Sequence, residues 1–446
     1  MSGTEDLAAG LARALTRAGL PPPSGLERLS GGASMESWRF TAGDAALVLR
    51  RAPSAEMMRG RTLDHAAEAR VIRAARQITP FAPEIVAELE PGGGIGSGFV
   101  MRAKPGTSDP ATILAEPEAS RLLAEIATQL AEIHRLDPRI KGLAVMDTAA
   151  SLAELRTRFL AYGGDRPIVA LALRWLAANM PQPIEPGFVH GDFRMGNLMV
   201  HEGWLSGVLD WELAHAGDYH EDLAYACMTV WAFGRPDRPA LGLGSIDEFL
   251  DDYQVNGGRA VDRKRFRFWL VYRTCWWALG CLQMGQYWRD GHDRSIERVV
   301  IGRRTAEQEL DLLMLLEADA PAAERARELP PTHPLPQRHQ GEPSGTEMLT
   351  AVSEWLSSAI KPLVSGRTAF DLAVARNALG IVSREMSLRP TASDPELAAE
   401  LLAGAKDLAT PGVLARLRRM ALDKLIADMP KYPALPLARA RWEGAD

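Results

Sequence analysis

Cysteine is scarce in this sequence, which has three in 446 residues and no CxxC pair. So few cysteines exclude a disulfide framework and are typical of a reducing compartment. Long apolar runs are also lacking, because the most apolar stretch, 266–288, is interrupted by two arginines. Charged residues likewise interrupt the first 20 residues, so the hydrophobic core of a signal peptide is lacking. We therefore expect a cytoplasmic protein with no membrane partner.

An excess of charge of one sign is the next absence. Lys and Arg number 51 against 57 Asp and Glu, a net charge of −6, which gives no electrostatic reason to expect a nucleic-acid partner. Hydrophobic residues make up 46% and charged residues 24%, as in ordinary globular proteins. The length predicts two or three domains.

Proline marks the clearest boundary in the chain. Six prolines fall between residues 318 and 346, where apolar periodicity is lost, so this segment is predicted to be an extended linker. Beyond it, residues 347–446 predict a bundle of four helices. The first of them repeats apolar residues at the spacing of one buried face: Leu349, Val352, Leu356, Ile360 and Leu363.

Before the linker, the chain divides into a strand-rich part and a helix-rich part. After an N-terminal helix, short strand-like runs, broken by glycine or proline, occupy the rest of residues 1–103 around a second helix near 65–75. Residues 104–317 are mainly helical, except for strand-like segments between 187 and 211. The sequence thus predicts an α+β protein of two lobes with a C-terminal all-α bundle, and a ligand cleft between the lobes.

The chemistry is concentrated in the string FVHGDFRMGN (188–197), followed by LDWE (209–212). A hairpin turning at Glu202-Gly203 would bring Asn197 and Asp210 side by side. An amide oxygen and a carboxylate suit Mg²⁺, which also takes phosphate oxygens and waters. Asp192, on the preceding loop, is placed to orient a hydroxyl and accept its proton. This arrangement predicts phosphoryl transfer.

A metal-dependent phosphohydrolase is the alternative enzyme class. Four histidines lie near these aspartates: His190, His201, His215 and His220. The sequence has no adjacent His-Asp dipeptide and no HExxH pair there, so the spacing of Asp192, Asn197 and Asp210 explains more residues at once.

The two strings resemble the catalytic and metal loops of the aminoglycoside phosphotransferase and choline-kinase-like family, which has the protein-kinase-like fold. H-G-D stands where protein kinases have H-R-D, and D-W-E stands where they have D-F-G. The resemblance covers about residues 25–310. It implies that Asp192 is the catalytic base, that Asn197 and Asp210 bind Mg²⁺, and that His190 holds the catalytic loop in shape.

The resemblance also implies a site for ATP in the strand-rich lobe. Glycine allows the main chain to approach phosphates closely, so the loop that covers the nucleotide is predicted at four residues: Ser30, Gly31, Gly32 and Ser34. Main-chain groups near Met101 and Ala103 are predicted to bind adenine. Whether the nucleotide is ATP or GTP stays open.

An arginine, Arg50, stands where the family has a strand lysine. Glu68, on the helix near 65–75, is its predicted partner, and Arg51 is an equally available alternative. Arginine can contact phosphate and carboxylate in bidentate fashion but differs from lysine in shape, which leaves room for weakened nucleotide use. His134, Asp218 and Asp222 are predicted to be structural.

An aromatic helical segment, 266–279, is predicted to be mostly core, with some of its side chains lining an apolar acceptor pocket and Arg273 available for an anion. A basic, aromatic segment does not suit a polycationic aminoglycoside. The chain resembles more the branch of the family that is fused to acyl-CoA dehydrogenases, which implies a hydroxyacyl-CoA. The bundle resembles an uncharacterised domain attached to such kinases, and either a protein partner or self-association through it is left open.

Two hypotheses follow. The first is an ATP- and Mg²⁺-dependent kinase that phosphorylates a hydroxyl of a small molecule. The second is a non-catalytic, nucleotide-binding regulatory module that acts through its helical bundle. The three intact motif residues favour the enzyme, whereas the arginine at position 50 favours the module.

Overall fold

A computed structural model describes residues 2–29, 35–89, 92–331, 343–391 and 393–444. Its strands are β1 (Ser24–Arg28), β2 (Glu36–Ala42), β3 (Ala45–Ala52), β4 (Ile85–Glu88), β5 (Ser97–Arg102), β6 (Gly187–Val189), β7 (Leu198–His201), β8 (Trp204–Val208) and β9 (His215–Gly217). The predicted strand-like runs near 45–51 and 98–102 correspond to β3 and β5.

The first helices are α1 (Ser2–Arg17), α2 (His65–Ile78), α3 (Pro110–Leu114), α4 (Ala119–Ile133), α5 (Thr148–Ala161), α6 (Pro167–Ala178), α7 (His220–Ala226), α8 (Ile246–Val255) and α9 (Arg263–Arg289). The others are α10 (Ile296–Arg303), α11 (Thr305–Leu316), α12 (Ala322–Arg325), α13 (Gly345–Trp355), α14 (Gly366–Leu388), α15 (Pro395–Ala403), α16 (Val413–Asp428) and α17 (Leu435–Trp442). None of the described helices is both long and apolar enough to span a membrane.

The chain forms two compact units. The first contains Met1–Asp147, Pro183–Phe233 and Asp237–Phe266. The second contains Thr148–Gln182, Gly234–Pro236 and Arg267–Asp446. These units are a description of packing, and the four-part division at residues 103, 317 and 346 stays a prediction.

The first unit is built on a five-stranded antiparallel sheet in the order β1-β2-β3-β5-β4. Leu7, Leu11 and Leu15 repeat every four residues on α1, and all three are buried in one core with residues of the sheet, such as Phe40 and Val100. Helix α2 begins at an N-cap, because Asp64 accepts a hydrogen bond from the Ala67 N–H at 2.7 Å. This cap fixes where the helix starts and so positions the side chains of its first turns.

Two small antiparallel pairs complete the part of the first unit that matters for the site. Strand β6 pairs with β9, and β7 pairs with β8 in a hairpin. The hairpin turns at Glu202 and Gly203, whose φ angles are +51° and +77°, which confirms the predicted turn.

The second unit is helical. The N-cap predicted at Asp394 is confirmed, because its carboxylate accepts from the Leu397 N–H at 3.1 Å at the start of α15. Four helices were predicted in residues 347–446. The described residues from 345 onward form five α-helices, α13 to α17. The predicted buried face of the first of them is wrong: α13 has no buried residue, and Val352 and Leu363 are 47% and 78% exposed.

The predicted linker is described only in part. Its start includes α12, and two arginines of α16 donate to its carbonyl groups: Arg418 to Arg325 at 2.8 Å and Arg419 to Pro330 at 3.1 Å. This start is therefore folded rather than extended, because side chains of α16 satisfy its backbone. Residues 332–342 of the predicted linker lie outside the described residues.

Candidate active site

The loop after β6 is held by a buried carboxylate. Asp222 on α7 accepts hydrogen bonds from the N–H groups of His190 and Gly191 at 2.7 and 2.8 Å. Burial raises the pKa of Asp222, but the hydrogen bond from His134 and the neighbouring charge lower it by more, so the carboxylate stays ionised. Gly191 has a φ of +82°, and a Cβ there would approach the Leu213 carbonyl oxygen to 2.3 Å. The loop therefore requires glycine at this position.

Asp192 lies at the tip of this loop with two side-chain donors on its carboxylate. Asn197 Nδ2 donates to Oδ2 at 2.5 Å, and Arg194 Nε donates to Oδ1 at 3.1 Å. The Arg194 guanidinium also lies 4.8 Å from the ring centre of Trp231. The predicted base and one predicted metal ligand are thus in direct contact.

His190 is buried behind the loop. Its ring centre lies 4.6 Å from that of Trp211, and its Nδ1 accepts from the Asp192 N–H at 3.2 Å. Because Nδ1 is the acceptor, the neutral ring carries its proton on Nε2. Burial lowers the pKa of His190, although nearby carboxylates, Asp222 first, oppose this shift. A neutral, enclosed imidazole suits the predicted role of holding the loop rather than exchanging protons.

The hairpin β7–β8 brings the second predicted metal ligand to the same place. Leu198 pairs with Val208, and the Leu209 N–H donates to the Asn197 carbonyl oxygen at 2.8 Å. Asp210 is the next residue, and its φ of +63° is a left-handed conformation that non-glycine residues rarely adopt. Such strain is common at functional sites, where the surrounding structure holds it.

Arg50 links the sheet to this hairpin. Its Nη2 donates to Asp210 Oδ1 at 2.7 Å and to Glu212 Oε2 at 2.5 Å, and its Nε lies 3.4 Å from Glu68 Oε1. Arg51 instead donates to Glu36 at 2.9 Å and to the Ile95 carbonyl at 3.0 Å. Of the two candidates, Arg50 is the one that meets Glu68.

Electrostatics at this cluster depend on burial. Burial lowers the pKa of Arg50, but the charges of Asp210, Glu68 and Glu212 raise it by more, so the guanidinium stays charged. Burial also raises the pKa of Glu68 to about 7, against the opposing charge of Arg50. Arg50 therefore offsets part of the rise that burial imposes on the pKa of Glu68.

Two residues of the cluster were assigned no role from sequence. Glu212 lies in the quoted D-W-E string, and its pKa is raised by burial and by the charge of Asp210. Arg61, in the loop before α2, places Nη1 3.2 Å from both Glu212 oxygens. The position of Glu212, two residues after Asp210, could have indicated from the sequence that it belongs to the site. Arg61 lies 151 positions before Glu212 in the chain, and no sequence pattern indicated that the two residues meet.

The predicted adenine contacts are already engaged within the sheet. Met101 lies in β5 opposite Val48 and Ile85, and the Ala103 N–H donates to the Ala46 carbonyl at 3.0 Å. That donor would have to exchange partners to bind a base. The predicted phosphate loop, with Ser30, Gly31, Gly32 and Ser34, lies outside the described residues.

The donor set fits a metal only together with a phosphate. Among the described residues, no group of three or more His, Cys, Asp or Glu side chains is arranged to hold a metal ion. The Asn197 amide nitrogen is directed at Asp192, which leaves its oxygen as the remaining acceptor, and Asp210 is bonded to Arg50. Two protein oxygens completed by phosphate and water are a normal magnesium site.

The histidines and aspartates after the metal loop are paired with one another. His215 contacts Glu221 at 3.1 Å, and Asp218 accepts from His220 at 2.7 Å and from Arg265 at 2.8 Å. These pairs suit bracing of the loop and give the phosphohydrolase alternative no metal centre in the described residues.

The aromatic segment proposed for the acceptor is mostly core. Trp269, Tyr272 and Cys275 are buried, and Arg273 is 4% exposed and lies 4.3 Å from the ring centre of Trp276. Arg273 is therefore buried beside an aromatic ring rather than displayed to a ligand.

The sequence of this chain matches a known protein family. The profile of the "Phosphotransferase enzyme family" (APH) matches residues 25–264, more than half of the chain. The chain belongs to this family. The assignment confirms the resemblance seen in the catalytic and metal loops. A second profile, a domain of unknown function (DUF6285), matches residues 362–432 of this phosphotransferase-family chain.

Two curated relatives are named as acyl-CoA dehydrogenases. "Acyl-CoA dehydrogenase family member 10" of Mus musculus is 27% identical over 53% of this chain and 24% of its own length. "Acyl-CoA dehydrogenase family member 11" of Gallus gallus is 35% identical over 30% of this chain and 18% of its own. The chain thus spans less than a quarter of the length of these relatives.

A solved structure shares the fold. It is a Ralstonia eutropha protein provisionally described as an aminoglycoside phosphotransferase, with a TM-score of 0.54 and 22% identity over 71% of this chain and 98% of that one. The predicted protein-kinase-like fold, with a small antiparallel sheet, a helical region and further C-terminal helices, is confirmed.

Proposed function

We propose that this chain transfers the γ-phosphoryl group of ATP to a hydroxyl group of a small molecule in the presence of Mg²⁺. The observation that carries the proposal is the hydrogen bond from the Asn197 amide to the Asp192 carboxylate. The Asn197 carbonyl in turn accepts from the N–H of Leu209, the residue before Asp210, and Arg50 donates to the Asp210 carboxylate. A base, two metal-binding oxygens and a cation around one point are what phosphoryl transfer needs.

Each side chain has a distinct task in this mechanism. Asp192, held by Asn197 and Arg194, orients the acceptor hydroxyl and takes its proton as the new O–P bond forms and the bond to ADP breaks. Asn197 and Asp210 would hold Mg²⁺, which, when bound, offsets the negative charge of the phosphates.

Arg50 donates to Asp210, a proposed metal ligand, and to Glu212. If Asp210 held a metal ion, Glu212 and Glu68 would remain as partners for the guanidinium, and the N–H that now bonds Asp210 would be available to a phosphate. Arg61 keeps Glu212 in place through both carboxylate oxygens.

A hydroxyacyl-CoA is the proposed acceptor. The support is the similarity to two proteins named as acyl-CoA dehydrogenase family members. In each of them, the region that is similar to this chain is part of a much longer polypeptide. Incubation with Mg·ATP and a set of hydroxyacyl-CoA esters, read by mass spectrometry, should add one phosphoryl group to the ester. Choline and an aminoglycoside serve as comparison acceptors, and phosphorylation of either in preference to every ester would overturn this acceptor.

The regulatory module remains the second candidate, and the bond between Arg50 and Asp210 favours it, because that bond competes with a metal ion. ATP consumption that depends on acceptor and is lost in Asp192→Asn would exclude the module. Binding of Mg·ATP without transfer to any acceptor would support it. Parallel titrations with GTP decide the nucleotide.

A further inference from the structure

Helices α13 and α14 form a hairpin, residues 345–388, which we call the C-terminal hairpin. A Cβ placed on Gly345 would meet Met386 Cε at 2.8 Å, so the start of α13 lies beside the end of α14. Arg376 Nε donates to the Ser353 carbonyl at 3.2 Å across the pair. The two helices are therefore antiparallel neighbours.

This hairpin has almost no core of its own. Ile381 is the one buried residue in its 345–388 range, all of which the structure describes. The hairpin is about a tenth of the chain, yet eight of the 19 large apolar side chains exposed in the described residues belong to it. They are Met348, Val352, Trp355, Leu363, Phe370, Val382, Met386 and Leu388. Apolar exposure concentrated in this way is typical of an interaction surface.

The exposed residues of α13 form one stripe. Met348, Val352 and Trp355 follow one another at steps of four and three, which places them on the same face of the helix. Val352 is 47% and Trp355 56% exposed. An amphipathic helix is stabilised mainly by packing of such a face, so this stripe requires a covering surface.

Helix α14 is anchored on its other side within the second unit. Arg384 donates to the Ala427 carbonyl at 2.8 Å, and Glu385 accepts from Arg303 at 2.6 Å, near the buried Ile381. The hairpin is thus attached to α10 and α16 through α14, while the stripe of α13 faces solvent. A partner can reach the stripe without displacing these contacts.

The charges of the hairpin indicate what kind of partner fits. It contains four acidic residues (Glu347, Glu354, Asp371, Glu385) and four basic residues (Lys361, Arg367, Arg376, Arg384). A net charge of zero gives no attraction for a nucleic acid or an acidic membrane. Several of these charges are already paired within the chain, as Arg367 is with Asp371 and Glu385 with Arg303. Glu354 and Lys361 are exposed beside the stripe and form no ion pair among the described residues. Because they differ in sign and belong to one helical segment, Glu354 of one copy can pair with Lys361 of an inverted copy, as a two-fold interface requires.

We propose that the C-terminal hairpin is the interface of a homodimer in which a second copy of this chain covers the stripe of Met348, Val352 and Trp355. Two hairpins packed about a two-fold axis make a four-helix bundle, the usual way in which amphipathic helix pairs are covered. This interface is independent of the phosphotransferase proposal.

Light scattering on the full chain tests the interface. The wild type should have a molar mass twice its chain mass of 48.6 kDa. Combined Val352→Glu and Trp355→Glu should give single chains with unchanged helix content by circular dichroism. The control is Val255→Glu, because Val255 ends α8 in the first unit and is 85% exposed; this variant should stay a dimer.

Three results would overturn the proposal: a wild type that is monomeric at its highest soluble concentration, a double variant that remains dimeric, or open-ended oligomers. Because the double variant can fail to fold, cross-linking gives a second measurement. The three native cysteines are buried. Trp355→Cys treated with a bismaleimide should therefore give covalent dimers, whereas Val255→Cys should not, and the reverse result would place the interface elsewhere.

Discussion

The candidate active site and the C-terminal hairpin differ in how far their side chains find partners within the chain. In the site, buried and partly buried carboxylates are paired with arginines of the same chain, as Arg50 shows with Glu68, Asp210 and Glu212. In the hairpin, apolar side chains that water disfavours are left uncovered. In the described residues of these two regions, charges are thus paired within the chain and apolar surface is not covered, which is why we propose a small ligand for the first region and a second copy of the chain for the other.

The largest effect is expected from the base. Asp192→Asn removes the proton acceptor while keeping the contact with Asn197, so phosphoryl transfer should fall about 10²- to 10⁴-fold. Steady-state rates beside unfolding curves separate chemistry from folding. The control is Asp137→Asn, since Asp137 is exposed and pairs with Arg139; a similar loss in both variants would contradict the role of Asp192.

The next effect tests the internal pairing of charge. Arg50→Met leaves the buried Glu68 and the partly buried Asp210 and Glu212 without their shared cation, so the free energy of unfolding should fall by about 3–5 kcal/mol. Arg28→Met is the matched control, because Arg28 is exposed and lies 3.4 Å from Glu36, and it should cost less than about 1 kcal/mol. Urea unfolding of both variants measures the difference. Equal losses would mean that the Arg50 cluster is no more than a surface pair.

A third pair of variants compares the two regions directly. Leu11→Ala removes a fully buried side chain from the core of the first unit and should cost about 2–5 kcal/mol at any protein concentration. Val352→Ala should change the free energy of unfolding by less than about 0.5 kcal/mol in dilute protein. Its cost should grow with protein concentration, because the dimer is what covers this residue. A cost of Val352→Ala independent of concentration would break the comparison.

The last prediction concerns pH and a buried carboxyl of the second unit. Tyr432 donates to Asp311 at 2.6 Å, and burial raises the pKa of Asp311 to about 8 although this hydrogen bond lowers it. The native state therefore keeps a proton that the unfolded chain loses near pH 4, so this group's contribution to stability is complete at low pH and declines as pH rises to about 8.

Asp311→Asn removes that decline. The free energy of unfolding of the variant minus that of the wild type should rise between pH 4 and pH 8 and level off above it. Taking the difference cancels groups that titrate in this range without contacting Asp311, such as Glu68. A difference that is flat with pH would show that Asp311 is ionised in the folded protein.

Local patterns in the sequence predicted what depends on neighbours along the chain. The spacing of Asp192, Asn197 and Asp210 and the turn at Glu202 belong to one short segment, so their grouping could be predicted. Arg61 could not be found, because its partner Glu212 is reached only through the tertiary fold. The sequence likewise did not indicate that the Ala103 N–H donates to the Ala46 carbonyl of the neighbouring strand, because this pairing also depends on the tertiary fold.

Periodicity also predicts less than it suggests. The apolar spacing of Val352 and Leu363 correctly indicated a helical segment with an apolar face, but it does not say what covers that face. Burial within the chain was the wrong interpretation, because these side chains are exposed in the single chain.

We propose above that the cluster around Asp210 binds a nucleotide together with a metal ion. A thermal unfolding titration with Mg·ATP, with ATP alone and with Mg²⁺ alone, beside Asp210→Asn, tests it most directly. At about one hundred times the Kd, Mg·ATP should add about 2.7 kcal/mol to the free energy of unfolding of the wild type. We expect the melting temperature of the wild type to rise only when both Mg²⁺ and ATP are present, and we expect no rise in Asp210→Asn. A shift that persists without Mg²⁺ or in Asp210→Asn, or no shift at all, would contradict it.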